Sequence, residues 1–149
     1  MAIVWKGVFP AVTTKFTSND TLDLVLFTKN IEAQIAAGVN GIILGSTLGE
    51  SSVLTNAEKE ILVKETVKIV DGKIPVVINI AEGSTSVAIQ CAKDAENWGA
   101  KGLMLLHPMR YKSDHRETVQ YFKDIAASTK LPIMTVSYTH LTLPTNREV

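Results

Sequence analysis

Apolar and polar positions along the chain alternate in blocks, not residue by residue. Five short runs are almost wholly apolar, which is typical of strands buried on both faces of a parallel sheet. A longer segment with apolar residues at helical spacing lies between each run and the next, so the pattern predicts the order β-α-β-α-β-α-β-α-β. The runs are Gly7–Val12, Gly41–Leu44, Pro75–Asn79, Gly102–Leu106 and Leu131–Met134.

The intervening segments carry the residues that start and stop helices. Small polar side chains precede each of them, as expected for N-caps, and glycines follow the first and the third. The predicted helices cover about 22–37, a stretch from Thr55 onward, Thr85–Trp98 and Asp114–Ser128. The expected caps are Asp20 or Thr21, the Thr55 and Glu58 capping box, Ser84, and the Asp114 and Glu117 pair.

Strands joined by helices pair in parallel through right-handed crossovers. Two α/β architectures fit this order: half of a (β/α)8 barrel, or a small doubly wound open sheet. The periodicity of apolar residues is the same in both architectures and does not distinguish them. An open sheet would be complete at 149 residues, so the residues alone favour it slightly.

In both architectures the functional side chains lie in loops after the carboxyl ends of the strands. The loop Gly45–Ser51 reads GSTLGES, which places two hydroxyls and flexible backbone at such an end. Hydroxyls and free N–H groups suit a small carboxylate or phosphate. The alternative is a Gly-rich turn whose hydroxyls bond their own backbone. The loop is not a P-loop, because no lysine follows its second glycine.

The loop after the fourth run offers further candidates. Arg110 could bind a substrate carboxylate with its forked guanidinium, or pair with Asp114 or Glu117 at the surface. His107 could act as an acid or base, or could pack without a role in chemistry. In the third loop, Glu82, Ser84 and Thr85 could line a site, although a helix cap is the expected role.

Composition narrows the class of protein. Lys plus Arg and Asp plus Glu number 15 each, so the net charge of zero gives no electrostatic case for a nucleic acid or membrane partner. Cys91 is the single cysteine, and no metal-ligand spacing is found. There is no signal-peptide pattern and no run long enough to span a bilayer. A cytoplasmic, enzyme-like domain without metal or cofactor is therefore expected.

At these loops the sequence resembles the dihydrodipicolinate synthase / N-acetylneuraminate lyase family. The resemblance covers about Val4 to Met134 and rests on GVFPAVTTKF, GVNGIILGSTLGESSVLTNAEKE, INIAEGSTSVAIQCAKDAENWGAKGLMLL and PMRYKSDHRETVQYF. It implies a (β/α)8 barrel of roughly twice this length, usually a homotetramer. The expected fold is therefore α/β, the N-terminal half of a (β/α)8 TIM barrel truncated at the fifth strand, in place of the open sheet.

The resemblance also implies a chemistry, in which a lysine on the sixth strand forms a Schiff base with pyruvate or a related 2-oxo acid. That lysine and the relay tyrosine of the fifth strand are expected to be absent from this chain, which would then be inactive and fold poorly. Thr47 corresponds to the catalytic hydroxyl relay. The residues implied to bind the substrate are Ser46, Thr47, Leu48 (through its backbone N–H) and Arg110.

Met109 and Arg110 stand where synthases of the lysine pathway have a tyrosine pair. This departure favours a branch of the family that acts as a deaminase or dehydratase on a hydroxyproline-derived imino acid or a sugar acid. Two other readings stay open. One is a small non-catalytic α/β anion-binding domain, and the other is a family paralogue without catalysis.

Residues 135–149 break the pattern. Val136 to Thr145 match, in order, the translation of a common transposase sequencing adapter. The domain prediction is therefore 1–134 as the N-terminal half of a TIM-barrel lyase domain, with 135–149 as a non-native tail. Tyr138, His140 and Arg147 accordingly carry no functional weight.

Overall fold

Helices and strands alternate through the computed structural model, which describes residues 3–107 and 113–136. The helices are α1 (Leu24–Ala36), α2 (Asn56–Val70), α3 (Thr85–Trp98) and α4 (His115–Ser128). The strands are β1 (Ile42–Leu44), β2 (Val76–Ile80), β3 (Gly102–Leu106) and β4 (Ile133–Val136). None of these helices is both long and apolar enough to cross a membrane.

The four strands form one sheet in the order β1-β2-β3-β4, and every pair is parallel. One row of the register runs from Leu44 to Ile78, Leu103 and Ile133. Sequential order with a helix between successive strands is the arrangement of a (β/α) barrel, not of a doubly wound sheet, whose strand order reverses. The predicted half barrel is confirmed.

The run Gly7–Val12 was expected to be a strand, and the structure gives it only one bridge, between Ala11 and Ile43. The Ile43 N–H donates to the Pro10 carbonyl at 2.9 Å, and the Val12 N–H donates to the Ile43 carbonyl at 3.0 Å. The segment therefore lies parallel to β1. Pro10 has no N–H and interrupts the ladder, which explains why no regular strand forms.

The N-cap of α1 was predicted wrongly. Asp20 and Thr21 belong to a turn that precedes the helix, in which the Thr17 N–H donates to the Thr21 carbonyl at 2.8 Å. Asp23 is the cap, and its Oδ1 accepts from the Leu26 N–H at 2.9 Å. Aspartate is as good a cap as the residues chosen, so only the turn decides the boundary.

The other helix starts follow the sequence closely. Both predicted capping boxes are present, one between Thr55 and Glu58 and one between Asp114 and Glu117. The hydrogen bonds from Thr55 hold the pKa of the Glu58 carboxyl below its ordinary value. Ser84 occupies the cap position of α3, but its side chain makes no capping hydrogen bond.

The main core lies between the helices and one face of the sheet. Complete burial of a large aliphatic or aromatic side chain contributes about 1.5–3 kcal/mol, so this layer provides most of the stability. Three alanines of α3 are fully buried and let that helix lie close to the sheet. The core includes Phe27, Ile31, Leu44, Leu62, Val63, Ile78, Ala88, Ala92, Ala95, Leu103, Leu105 and Ile125.

β4 lies two residues later than the predicted run Leu131–Met134. The Leu103 N–H donates to the Pro132 carbonyl at 3.0 Å, which starts the pairing at Ile133 and carries it to Val136. The strand thus includes the first two residues of the predicted non-native tail. Backbone pairing is open to most residues, so the origin of the tail stays a prediction.

Candidate functional site

The candidate site is the loop that leaves the carboxyl end of β1. Gly45 turns the chain with φ of 63°, a left-handed conformation that glycine adopts without strain. The Ser46 carbonyl then accepts from the N–H groups of Gly49 at 3.0 Å and Ser51 at 3.3 Å. The loop 45–51 is thereby folded around one carbonyl group.

Two side chains from neighbouring segments hold this loop. The Thr14 hydroxyl donates to the Gly49 carbonyl at 2.7 Å, and the Asn79 amide Nδ2 donates to the Gly45 carbonyl at 3.0 Å. Both hydrogen bonds are buried. A Cβ on Gly49 would lie 3.0 Å from the Val12 carbonyl oxygen, so glycine permits the close approach. The loop is therefore fixed between the segment after Val12 and β2.

The three residues predicted to bind a carboxylate follow one another in this loop. Ser46 is only 8% exposed, and its Oγ has no hydrogen-bond partner. Thr47 and Leu48 are exposed, Leu48 at 66%. Within residues 3–107 and 113–136, neither backbone N–H of this pair nor the Thr47 hydroxyl has a protein partner. Hydroxyl and amide donors at one strand end suit a small carboxylate.

Asn79 is a polar residue of this site that sequence analysis did not select. It ends an otherwise apolar run, and a polar side chain in that position was the signal available. Asn79 is 7% exposed, and its Oδ1 has no partner. Buried polar atoms without a partner are uncommon in native proteins, so this atom requires an explanation.

Other predicted residues are placed elsewhere or are not described. Arg110 lies outside the described residues, as do Met109 and the rest of 108–112. His107 is half-buried just after β3. Glu82 pairs with Lys59 of α2 at 3.5 Å, and its carbonyl accepts from the Tyr121 hydroxyl at 3.3 Å. Its contacts are thus with α2 and α4, not with the loop 45–51.

Tyr121 and Cys91, two titrating groups near Glu82, are poor acid–base catalysts at neutral pH. Burial, then the charges of Glu82 and Cys91, raise the pKa of Tyr121 to about 12. Burial, followed by Glu82 and Asp94, raises the pKa of the Cys91 thiol, although Lys59 opposes the shift. A thiol held neutral is a weak nucleophile.

The described part of the chain contains no group of three His, Cys, Asp or Glu side chains that could hold a metal ion. What the loop 45–51 offers is a set of hydroxyl and N–H donors. Such donors can bind and orient an anion, which is a positioning role in catalysis.

Comparison with known proteins identifies the group to which this arrangement belongs. Residues 4–143 match the profile of the dihydrodipicolinate synthetase family. The chain belongs to this family. The predicted resemblance is thereby confirmed, and the profile match extends into the tail.

Two curated relatives illustrate the range of the family. A 4-hydroxy-tetrahydrodipicolinate synthase of Exiguobacterium sibiricum is 35% identical over 131 residues, which are 88% of this chain and 45% of the relative. The "Probable 2-dehydro-3-deoxy-D-pentonate aldolase YjhH" of Escherichia coli K12 is 33% identical over 138 residues, 93% of this chain and 46% of the relative. The chain thus spans about half the length of the curated relatives it matches.

Solved structures agree with the fold. The chloride-inhibited dihydrodipicolinate synthase of Acinetobacter baumannii, complexed with pyruvate, superposes with a TM-score of 0.86 at 28% identity. The match covers 89% of this chain and 45% of that one. The four-stranded sheet therefore corresponds to half of a family barrel.

Proposed function

We propose that the full-length protein is a lyase that forms a Schiff base with pyruvate or a related 2-oxo acid. The observation that carries this proposal is the loop 45–51 in a chain of this family. Ser46, whose buried Oγ has no hydrogen-bond partner, precedes Thr47 in this loop, and the Thr47 hydroxyl and the backbone N–H groups of Thr47 and Leu48 have no partner among the described residues. These donors would bind the substrate carboxylate.

The residues of the loop would have different roles in substrate binding and proton transfer. Ser46 and the Leu48 N–H would anchor the carboxylate, since leucine has only its backbone to donate. Thr47 would relay a proton, because a hydroxyl both donates and accepts. Arg110, which lies outside the described residues, would hold a second anionic or polar group of the substrate. Anchoring the carboxylate would fix the carbonyl carbon for attack by a lysine.

The reactive lysine and the relay tyrosine would be supplied by a part of the protein beyond residues 1–134. The protonated imine formed with that lysine would serve as the electron sink for bond making or breaking. On this proposal the present chain is inactive alone, and the full-length protein is a cytoplasmic homotetramer that needs no cofactor.

Pyruvate is supported as the simplest substrate by two solved relatives. The Acinetobacter baumannii enzyme and the YagE protein of Escherichia coli K12 are both described in complex with pyruvate. A branch that acts on sugar acids or imino acids is the second candidate. Met109 and Arg110, which stand in place of a tyrosine pair, favour this branch. The relative YjhH is also named as a probable aldolase for a deoxy sugar acid.

We also propose that residues 135–149 are translated adapter. The support is the ten-residue match from Val136 to Thr145; the profile match that runs to residue 143 is the opposing observation. Sequencing the source DNA past the codon for Met134 decides between them. If the source DNA encodes other residues after that codon, the proposal is supported. If it encodes residues 135–149 as given in the sequence, the proposal is overturned.

The carboxylate site is tested in the full-length protein, expressed from the complete gene once it has been amplified from the source DNA. Titration with pyruvate should show weaker binding for Ser46→Ala and Thr47→Val, by about tenfold each, as expected for a lost hydrogen bond to a charged group. Ser52→Ala is the matched control, because Ser52 is an exposed hydroxyl of the same loop region. Equal binding by all four proteins would overturn the proposed site. Binding of unrelated small anions without imine formation would instead favour a non-catalytic anion-binding domain.

A further inference from the structure

Asn79 faces away from the helices. Its neighbours in β2, Ile78 and Ile80, belong to the core between helices and sheet, and alternate residues of a strand point to opposite faces. The register places Asn79 beside Met104 of β3, which in turn lies beside Met134 of β4. Asn79 is therefore on the face that a closed barrel would enclose.

The orientation of the Asn79 amide is fixed by its partner. The Gly45 carbonyl can only accept a hydrogen bond, so the nitrogen Nδ2 must be the atom that lies 3.0 Å from it. Oδ1 is consequently directed elsewhere, and it has no partner. This oxygen can only accept, so its missing partner must be a donor.

The unpartnered atom adjoins the proposed carboxylate site. Asn79 Nδ2 binds the carbonyl of Gly45, and Ser46, the other buried residue with an unpartnered side-chain oxygen among those described, is the next residue along the chain. Two such atoms around one peptide group indicate a place built for a polar ligand, since each would otherwise destabilise the fold.

Among residues 3–107 and 113–136, the side chains beside Asn79 on the enclosed face do not supply the donor. The register places Ile43, Val77, Met104 and Met134 among them, and none of these four has a side-chain N–H or O–H group. None of these four side chains is negatively charged, so none of them favours an ammonium group over a neutral donor. A neutral hydroxyl is the donor that fits this surrounding.

We propose that Asn79 is a specificity-determining residue, whose Oδ1 accepts a hydrogen bond from a hydroxyl group of the substrate. The site would then prefer a 2-oxo acid that carries a hydroxyl beyond its carbonyl carbon over the same acid without it. This inference rests on the proposed function, because it takes the carboxylate to be bound by the loop 45–51.

The test uses two ligands that differ by one hydroxyl, 2-oxobutanoate and 4-hydroxy-2-oxobutanoate. Each is titrated into the full-length protein, and imine formation is followed by reductive trapping. The wild-type protein should bind the hydroxylated acid about tenfold or more tightly, because the plain acid leaves a buried acceptor unpaired. Asn79→Leu, which keeps the branching at Cγ and removes the acceptor, should abolish the preference. Met104→Leu, on the same face, should keep it.

The outcomes separate the inference from the function on which it rests. If neither acid binds or is trapped, the proposed function fails, and the inference fails with it. If both are trapped equally well by the wild type, the function stands and the inference is overturned. A preference that persists in Asn79→Leu also overturns it.

A second measurement is independent of whether Asn79→Leu folds. The side-chain amide resonance of Asn79 in the wild-type protein should shift with the hydroxylated acid and stay in place with the plain acid. Equal shifts with both ligands would show that Asn79 responds to loop ordering alone, which overturns the inference.

Discussion

Thr14 holds the loop of the candidate site through one buried hydrogen bond. Its hydroxyl lies 2.7 Å from the Gly49 carbonyl, and the Thr14 residue is 7% exposed. Thr14→Val keeps the shape of the side chain and removes the donor. In the described part of the chain no other group donates to the Gly49 carbonyl, so the substitution leaves a buried acceptor unpaired.

An unpaired buried carbonyl costs about 1–3 kcal/mol. With a urea dependence of about 1–3 kcal/mol per molar, the unfolding midpoint of the full-length protein should fall by about 1 M. The loop should also be less well ordered, so pyruvate should bind more weakly. Urea titration followed by circular dichroism measures the first effect, and calorimetry measures the second.

Thr13→Val is the matched control for this substitution. Thr13 is the preceding residue, is half-buried, and makes no side-chain hydrogen bond with the described residues. Its replacement should change the free energy of unfolding by no more than about 0.5 kcal/mol. Equal midpoints for Thr14→Val and the wild type would refute the view that this bond fixes the loop, and so would equal losses in both variants.

Three further predictions concern stability. Burial raises the pKa of Tyr121 from 10 to about 12 in the folded protein. The stability contributed by the protonated tyrosine is therefore complete below pH 10 and is lost as the pH rises through 12. Tyr121→Phe should flatten the fall of the unfolding midpoint in that window. Thr55→Ala should cost about 1 kcal/mol in urea unfolding, whereas Ser84→Ala, which removes no capping bond, should cost far less; similar losses would contradict the assignment of caps. Gly49→Ala should cost about 1–3 kcal/mol in the same assay, since its Cβ would press on the Val12 carbonyl, and an unchanged midpoint would contradict that close approach.

The order of elements was predictable because it depends on local patterns. Apolar runs, capping pairs and helix-ending glycines recur along the chain, and the capping boxes at Thr55 and Asp114 form as expected. The run Gly7–Val12 was predicted as a full strand because of its apolar content, although Pro10 lacks the N–H that a regular ladder needs. The cap of α1 was misplaced because several capping residues stand close together, and only the turn at Thr17 selects Asp23.

The position of the candidate site in the fold was predictable in part. Hydroxyls and glycines after a strand pointed to Ser46 and Thr47, and the structure places both at the carboxyl end of the sheet. Asn79 was missed because the role proposed for it depends on two facts absent from a linear sequence. These are the side of the sheet it faces and the lack of a donor for its oxygen. Arg110 lies outside the described residues, so its role stays a prediction.

Reductive trapping tests the central claim most directly. The protein expressed from the recovered gene is incubated with pyruvate and sodium borohydride, and its intact mass is measured. The account predicts one reduced pyruvate adduct per chain, on a lysine beyond residues 1–134. The pyruvate concentration needed to form this adduct should rise when Thr47 is replaced by valine. A chain that gains no adduct at saturating pyruvate would contradict the assignment of Schiff-base chemistry to this protein.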